Sequence, residues 1–187
     1  IICSICSEYT WALPAHIDFN SDTNRIITTI DLFASETAFA LSEILSLLSD
    51  ILSPAVCGII KHEIMRRIIT PYLTFLPRWG KSNWSAVCAA GVIASLYYLD
   101  LKTEFKSAEK SIITNLQDFL ASYADDGCCL EGSLYWSYGF GYFVYGSDLL
   151  CKLSEGKINM FDNHKTEKIA AFGFSSYLAD NYTIPYA

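Results

Sequence analysis

From Ser82 to Leu99 the chain carries no charged residue. A run of that length has two natural settings: a lipid bilayer, or the interior of a helical protein in which every face of the segment is covered. Ser82, Asn83, Ser85, Ser95, Tyr97 and Tyr98 interrupt its apolar character, and Ala and Gly fill much of the remainder. That mixture suits a helix packed against other helices, and no membrane partner is expected. With 187 residues available, one domain can bury a sizeable core around it.

The remaining segments supply the partners. Ile1 to Thr10 reads as the last turns of a helix, Trp11 to Asp18 as a loop broken by Pro14, and Asn20 to Arg25 as a polar turn. Residues 30–52 are helical, with Asp31, Ser35, Ser42, Ser46 and Ser49 on a polar side and Phe33, Ala34, Ala38, Leu41, Leu45, Leu48 and Leu52 opposite. Ser53-Pro54 is an N-cap followed by the first helical position, and the helix it opens should end at Pro71. After a loop, Asn83 is expected to cap a helix from Trp84 to about Asp100. Thr103 is expected to cap the next, whose core side is Phe105, Ala108, Ile112, Leu116, Phe119 and Leu120. A helix over 134–153 follows, and Asp162 should cap a last one reaching about Leu178. No segment alternates with period two, so the fold class is all-α, built of antiparallel helical hairpins. The low-charge helices 84–100 and 134–153 contrast with the sided helices 30–52 and 104–122, a contrast that suits an inner ring covered by an outer one, an α/α toroid.

On the 134–153 helix, Tyr135, Tyr138, Tyr142 and Tyr145 fall in one narrow stripe, while Trp136, Phe140 and Phe143 gather on an apolar side. Gly139, Gly141 and Gly146 lie between them at a cost of roughly 1 kcal/mol each relative to alanine, which points to close packing or an approaching ligand. The stripe reads either as the wall of a polar cleft or as core tyrosines with their hydroxyls in water.

Charge and cysteine narrow the chemistry. Asp and Glu number 20 against 13 Lys and Arg, which excludes nucleic acid as a partner. It also disfavours a densely sulfated polymer unless Lys61, Arg66, Arg67, Arg78 and Lys81 form a local patch. Of the seven cysteines, Cys3 and Cys6 have metal-like spacing, but the other close pair, Cys128-Cys129, is adjacent, so no metal site and no cofactor are expected. Cys57, Cys88 and Cys151 read as small buried hydrophobes, and reduced thiols fit a cytoplasmic setting. The chain opens on Ile1 without methionine and stops at Ala187, which reads as a fragment of a longer protein.

Four stretches in order, Trp11-Ala-Leu-Pro-Ala-His16, Ile30-Asp-Leu-Phe-Ala-Ser-Glu-Thr-Ala38, Asn83-Trp84-Ser-Ala-Val-Cys88 and Asp126-Gly-Cys-Cys-Leu-Glu-Gly132 with Tyr135-Trp-Ser-Tyr-Gly139, resemble the heparinase II/III-like proteins. The resemblance runs from about Tyr9 to Phe172. It implies an α/α toroid, incomplete here, normally followed by a β-sandwich that this chain would lack. It also implies a lyase that cleaves a uronate-containing, acidic polysaccharide or oligosaccharide by β-elimination. In that chemistry an amide or imidazole donor hydrogen-bonds the uronate carboxylate so that the C5 proton can leave, and a tyrosine protonates the departing glycosidic oxygen. By similarity Asn83 is the carboxylate-binding amide, although it also suits a simple helix cap. Trp84 stands where lyases of the alginate type carry a histidine. Tyr138 is the candidate catalytic phenol, with Tyr135 in reserve. Glu131, His16, Trp84, Trp11 and Trp136 are candidate substrate-binding groups, each with a plain structural reading beside it. Family lyases draw a second His or Tyr from the β-sandwich, so residues 1–187 alone are expected to show little or no turnover.

Two rival readings stay open. Many α/α toroids are glycoside hydrolases, which need carboxylates on both sides of the scissile bond; Asp125, Asp126 and Glu131 are the acids nearest the tyrosine helix. The other is a non-catalytic carbohydrate-binding toroid.

Overall fold

A computed structural model describes residues 1–180 and 182–183. The first helix, α1 (Ile2–Ser7), leads into a single 3-10 turn at Pro14–His16. Where a polar turn was expected, Asp22 accepts a hydrogen bond from the Arg25 amide and caps a short helix, α2 (Thr23–Ile27). The long helix α3 (Leu32–Leu48) is capped by Asp31, which accepts from the Ala34 amide at 2.8 Å. Its expected polar side is not solvated throughout: Asp31, Ser35 and Ser42 are buried, while Phe33 is exposed. The serines are small enough to let a neighbouring helix approach, and Ser42 returns its hydroxyl proton to the Ala38 carbonyl at 2.7 Å.

Helix α4 (Pro54–Ile64) starts at the Ser53-Pro54 corner as expected. Pro71 does not end it. The chain widens into a π-helical turn at Met65–Ile69, where the Thr70 amide donates to the Met65 carbonyl, and continues as α5 (Thr70–Phe75). The wide turn relieves the clash and missing donor that proline brings to an α-helix, so the stop moves to Leu76 in the left-handed region. Arg67, 3 % exposed, donates to Glu63 at 2.6 Å and to the carbonyls of Glu8, Tyr9 and Cys6, which ties α1 to this helix.

Helix α6 (Asn83–Tyr98) has Ser82 as its N-cap, which makes Asn83 the first helical residue rather than the cap. Likewise Leu101, not Thr103, precedes α7 (Lys102–Leu120), and all six expected core residues of α7 are buried. Then come α8 (Ser133–Leu153) and α9 (His164–Ser175). Asn163 rather than Asp162 caps α9, which stops short of Leu178 because Tyr177–Ala179 (β1) pairs antiparallel with Tyr182–Thr183 (β2).

The architecture is therefore overwhelmingly helical, with α6 at its centre. Every residue from Ser85 to Leu96 is buried, enclosed by α3, α8, α7 and the wide turn. Close approaches fix the directions. A Cβ on Gly91 would fall on the Ser35 carbonyl, and Ser42 meets Ser95 at 3.3 Å. On the other flank Gly139 abuts Asn83, and Gly146 abuts Ala90. Contact positions advance together along each pair, so α3, α6 and α8 run parallel. Phe119, at the end of α7, lies by Gly139 and hence by the start of α6, so α7 runs back against α6. The expected pairing of α6 and α8 as enclosed helices holds only for α6. Helix α8 leaves Tyr135, Val144 and Tyr145 exposed, because its low charge comes from phenols that tolerate water at their hydroxyl ends.

Candidate functional site

Of the depressions along α8, two gather residues of chemical interest. The larger, about 650 Å³, is a groove between α3 and α8 lined by Glu36, Phe39 and Glu43 on one side and by Tyr138, Tyr142 and Tyr145 on the other. The smaller, about 220 Å³, lies over the start of α6 and is lined by Lys81, Asn83, Tyr123, Glu131 and Tyr135 among others.

The smaller depression gathers three of the residues singled out from the sequence. Asn83 reaches it from the first turn of α6, half-buried, and its side-chain amide has no hydrogen-bond partner among the described residues. Tyr135 enters from the first turn of α8 and is 49 % exposed. Glu131 stands on the preceding turn, where Gly132 at φ 90° reverses the chain. The structure adds Lys81, a cation that sequence reasoning weighed only as part of a basic patch. No such patch forms around it: Arg66 and Arg67 hold Glu63, and Arg78 holds Asp118 at 2.6 Å. Tyr123 forms the depression's inner wall. Burial, with Cys129 and Glu131 behind it, pushes its phenol well above the ordinary tyrosine range.

The family resemblance casts Asn83 and Tyr138 as parts of one catalytic site, but Tyr138 does not line this depression. It instead turns to the other flank of α8, where its hydroxyl donates to Glu36 at 2.7 Å. Burial first, then this hydrogen bond and the Glu36 charge, push its phenol far above the ordinary range. Tyr142, against the same carboxylate, is pushed up to about 12. The two residues are near neighbours through Gly139, but they line different depressions, because one helical position (Gly139) separates the phenol from the face that touches Asn83. Tyr135, the reserve, lines the same depression as the amide, with the more deeply buried Tyr123.

The aromatic candidates sort by burial. Trp11 is 7 % exposed, donates to the Ile5 carbonyl at 2.9 Å and lies under the Arg67 guanidinium, which leaves no face for a sugar. Trp136 donates to the Ile169 carbonyl at 2.7 Å and packs among Phe140, Phe172 and Gly173, holding α9 to α8. Trp84 is half-buried with the His16 ring edge-on to it, centroids 4.6 Å apart. His16 itself is oriented by Asp31, Nδ1 to Oδ2 at 2.7 Å; that contact fixes the Nδ1-protonated tautomer and leaves Nε2 as the free ring nitrogen. Asp125 meets Lys165 at 3.8 Å and Asp126 caps the Cys128 amide, so neither faces a partner carboxylate across a cleft.

Glu36 and Glu43 were missed as site residues. They are the only charged residues of α3, and two acids seven positions apart on one helix face were the signal available. Among the described residues no three His, Cys, Asp or Glu side chains converge as a metal site, and no helix is long and apolar enough to cross a membrane. Neither a scan against protein-family models nor a search of curated proteins finds a match to this chain.

Proposed function

We propose that this chain is the helical portion of a polysaccharide lyase, an arc of an incomplete α/α toroid that acts on a uronate-containing saccharide by β-elimination. The parallel set α3, α6 and α8, with α7 running back against α6, supports the toroid reading. The observation that carries the functional reading is the Asn83 amide, without a hydrogen-bond partner among the described residues, in one depression with the Tyr135 phenol and the Lys81 ammonium. Asn83 and Lys81 hold the uronate carboxylate, which lowers the cost of the enolate-like charge as the C5 proton leaves. The C4–O bond breaks, a C4–C5 double bond forms, and Tyr135 gives its proton to the departing oxygen. The base that takes the C5 proton is assigned to the second His or Tyr that the family resemblance places on the β-sandwich.

The test is equilibrium binding of an unsulfated oligouronate to residues 1–187, with a neutral oligosaccharide of equal length as control, and ultraviolet detection of the unsaturated product in the longest form of the protein obtainable. Asn83→Ala should weaken oligouronate binding about tenfold, the loss of one hydrogen bond to a charged group. Tyr135→Phe should leave binding within about twofold and remove product formation, while Tyr138→Phe retains it. Preference for the neutral chain, with no unsaturated product, would favour the hydrolase or simple binding alternatives. Full turnover in Tyr135→Phe would overturn the assignment.

A further inference from the structure

The larger groove has a chemistry of its own, on the opposite flank of α8 from Asn83. We infer that it binds an elongated organic cation of the linear polyamine class. Glu36 and Glu43 project from one face of α3, seven positions apart, which places them roughly 10 Å apart along the helix at 1.5 Å per residue. Neither forms an ion pair among the described residues. The Tyr138 hydroxyl donates to Glu36 at 2.7 Å, and the phenols of Tyr142 and Tyr98 line the same groove, near enough to Glu36 and Glu43 for the carboxylate charges to help raise them above the ordinary phenol range. The cation in the lining, Lys152, is occupied by Asp148 at 2.7 Å.

Between the carboxylates lies an aromatic bed. Phe39 meets Tyr142 and Tyr145 edge-on, with centroids 6.1 and 6.3 Å apart, and Tyr138 meets Tyr142 in the same way. Ring faces and carboxylates together attract alkylammonium groups, and methylene stems lie against the rings. Two acids without a counter-cation repel an anionic chain from the same surface. A ligand with ammonium groups at both ends of an aliphatic stem answers both carboxylates and fits within a groove of about 650 Å³. This inference does not rest on the saccharide reading of the smaller depression.

The experiment is calorimetric titration of residues 1–187 with spermidine, alongside butylamine and a neutral polyol of similar length. Saturable one-to-one binding of spermidine is expected, with butylamine at least tenfold weaker. Glu43→Gln should weaken spermidine at least tenfold and the Glu36→Gln, Glu43→Gln double variant should abolish it. Asp50→Asn, an exposed carboxylate outside the groove, should change nothing. Circular dichroism on each variant establishes that the helices are intact, and Phe39→Ala gives an independent loss if Glu36→Gln perturbs the fold. Absence of saturable binding at millimolar spermidine, equal affinity for butylamine or the polyol, or equal weakening by Asp50→Asn would each overturn the proposal.

Discussion

Asp31 holds together three parts of the molecule with one carboxylate. It accepts from the Ala34 amide at 2.8 Å, from the Leu13 amide at 3.0 Å and from His16 Nδ1 at 2.7 Å, and it is 0 % exposed. Capping α3 accounts for about 1 kcal/mol of this, and bonds to a buried charge add about 1.5 kcal/mol or more each. Asp31→Ala should therefore lower unfolding stability by at least about 2 kcal/mol in urea titration and free His16 from its fixed tautomer in proton NMR. A loss below about 0.5 kcal/mol, the range of an ordinary surface change, would show the network to be incidental. The loop from Trp11 to Asp18 carries a histidine, a tryptophan and an acid of its own, Asp18. Asp18 instead caps its own turn at Asn20, and the acid that meets the imidazole comes from the next long helix.

At the level of elements, the glycines of α6 and α8 divide by what lies opposite them. Gly91 has the Ser35 backbone against it, so an added Cβ cannot be accommodated without separating α3 from α6. Gly91→Ala should cost about 2 kcal/mol through this overpacking. Gly141 meets nothing within 4 Å, and Gly141→Ala should gain about 0.5–1 kcal/mol from helix propensity alone. Thermal unfolding of the two variants checks the pair; equal effects would mean that helix packing does not hinge on Gly91. Periodicity and capping signals announced these helices except α2 and α5, and the core side of α7 residue by residue. It misjudged the ends, since Pro71, Asn83, Thr103 and Asp162 each carried a valid local signal that another residue or a wide turn overrode. It also read α8 as enclosed, because hydropathy does not distinguish a tyrosine under neighbours from one at the water surface.

For the molecule as a whole, the buried polar side chains are mostly serines and threonines, and partly or fully buried phenols add a titrating set to them. Burial leads the list of causes that push Tyr72, Tyr98, Tyr123, Tyr138 and Tyr142 above the ordinary phenol range, about 10. The folded state therefore holds these protons more tightly than the unfolded chain does. Their contribution to stability is complete below about pH 10 and is lost as pH rises through the folded values, about 12 for Tyr142. Of the twelve tyrosines, these five should ionise late and together with the loss of helical circular dichroism. Ionisation of Tyr138 and Tyr142 at about pH 10, the ordinary phenol value, with the helices intact would contradict this account.

The long helices and the one helix that must be covered on all sides were dictated by the sequence, because charge-free length and a period of 3.6 are properties of the string itself. Which phenol stands beside Asn83 was not. Tyr135 and Tyr138 lie three positions apart on one stripe, and sixty degrees of helix rotation about Gly139 sends one to the amide and the other to Glu36 on α3. That rotation is set by where the Gly139 and Gly146 backbones seat on α6, a packing choice made between helices far apart in sequence.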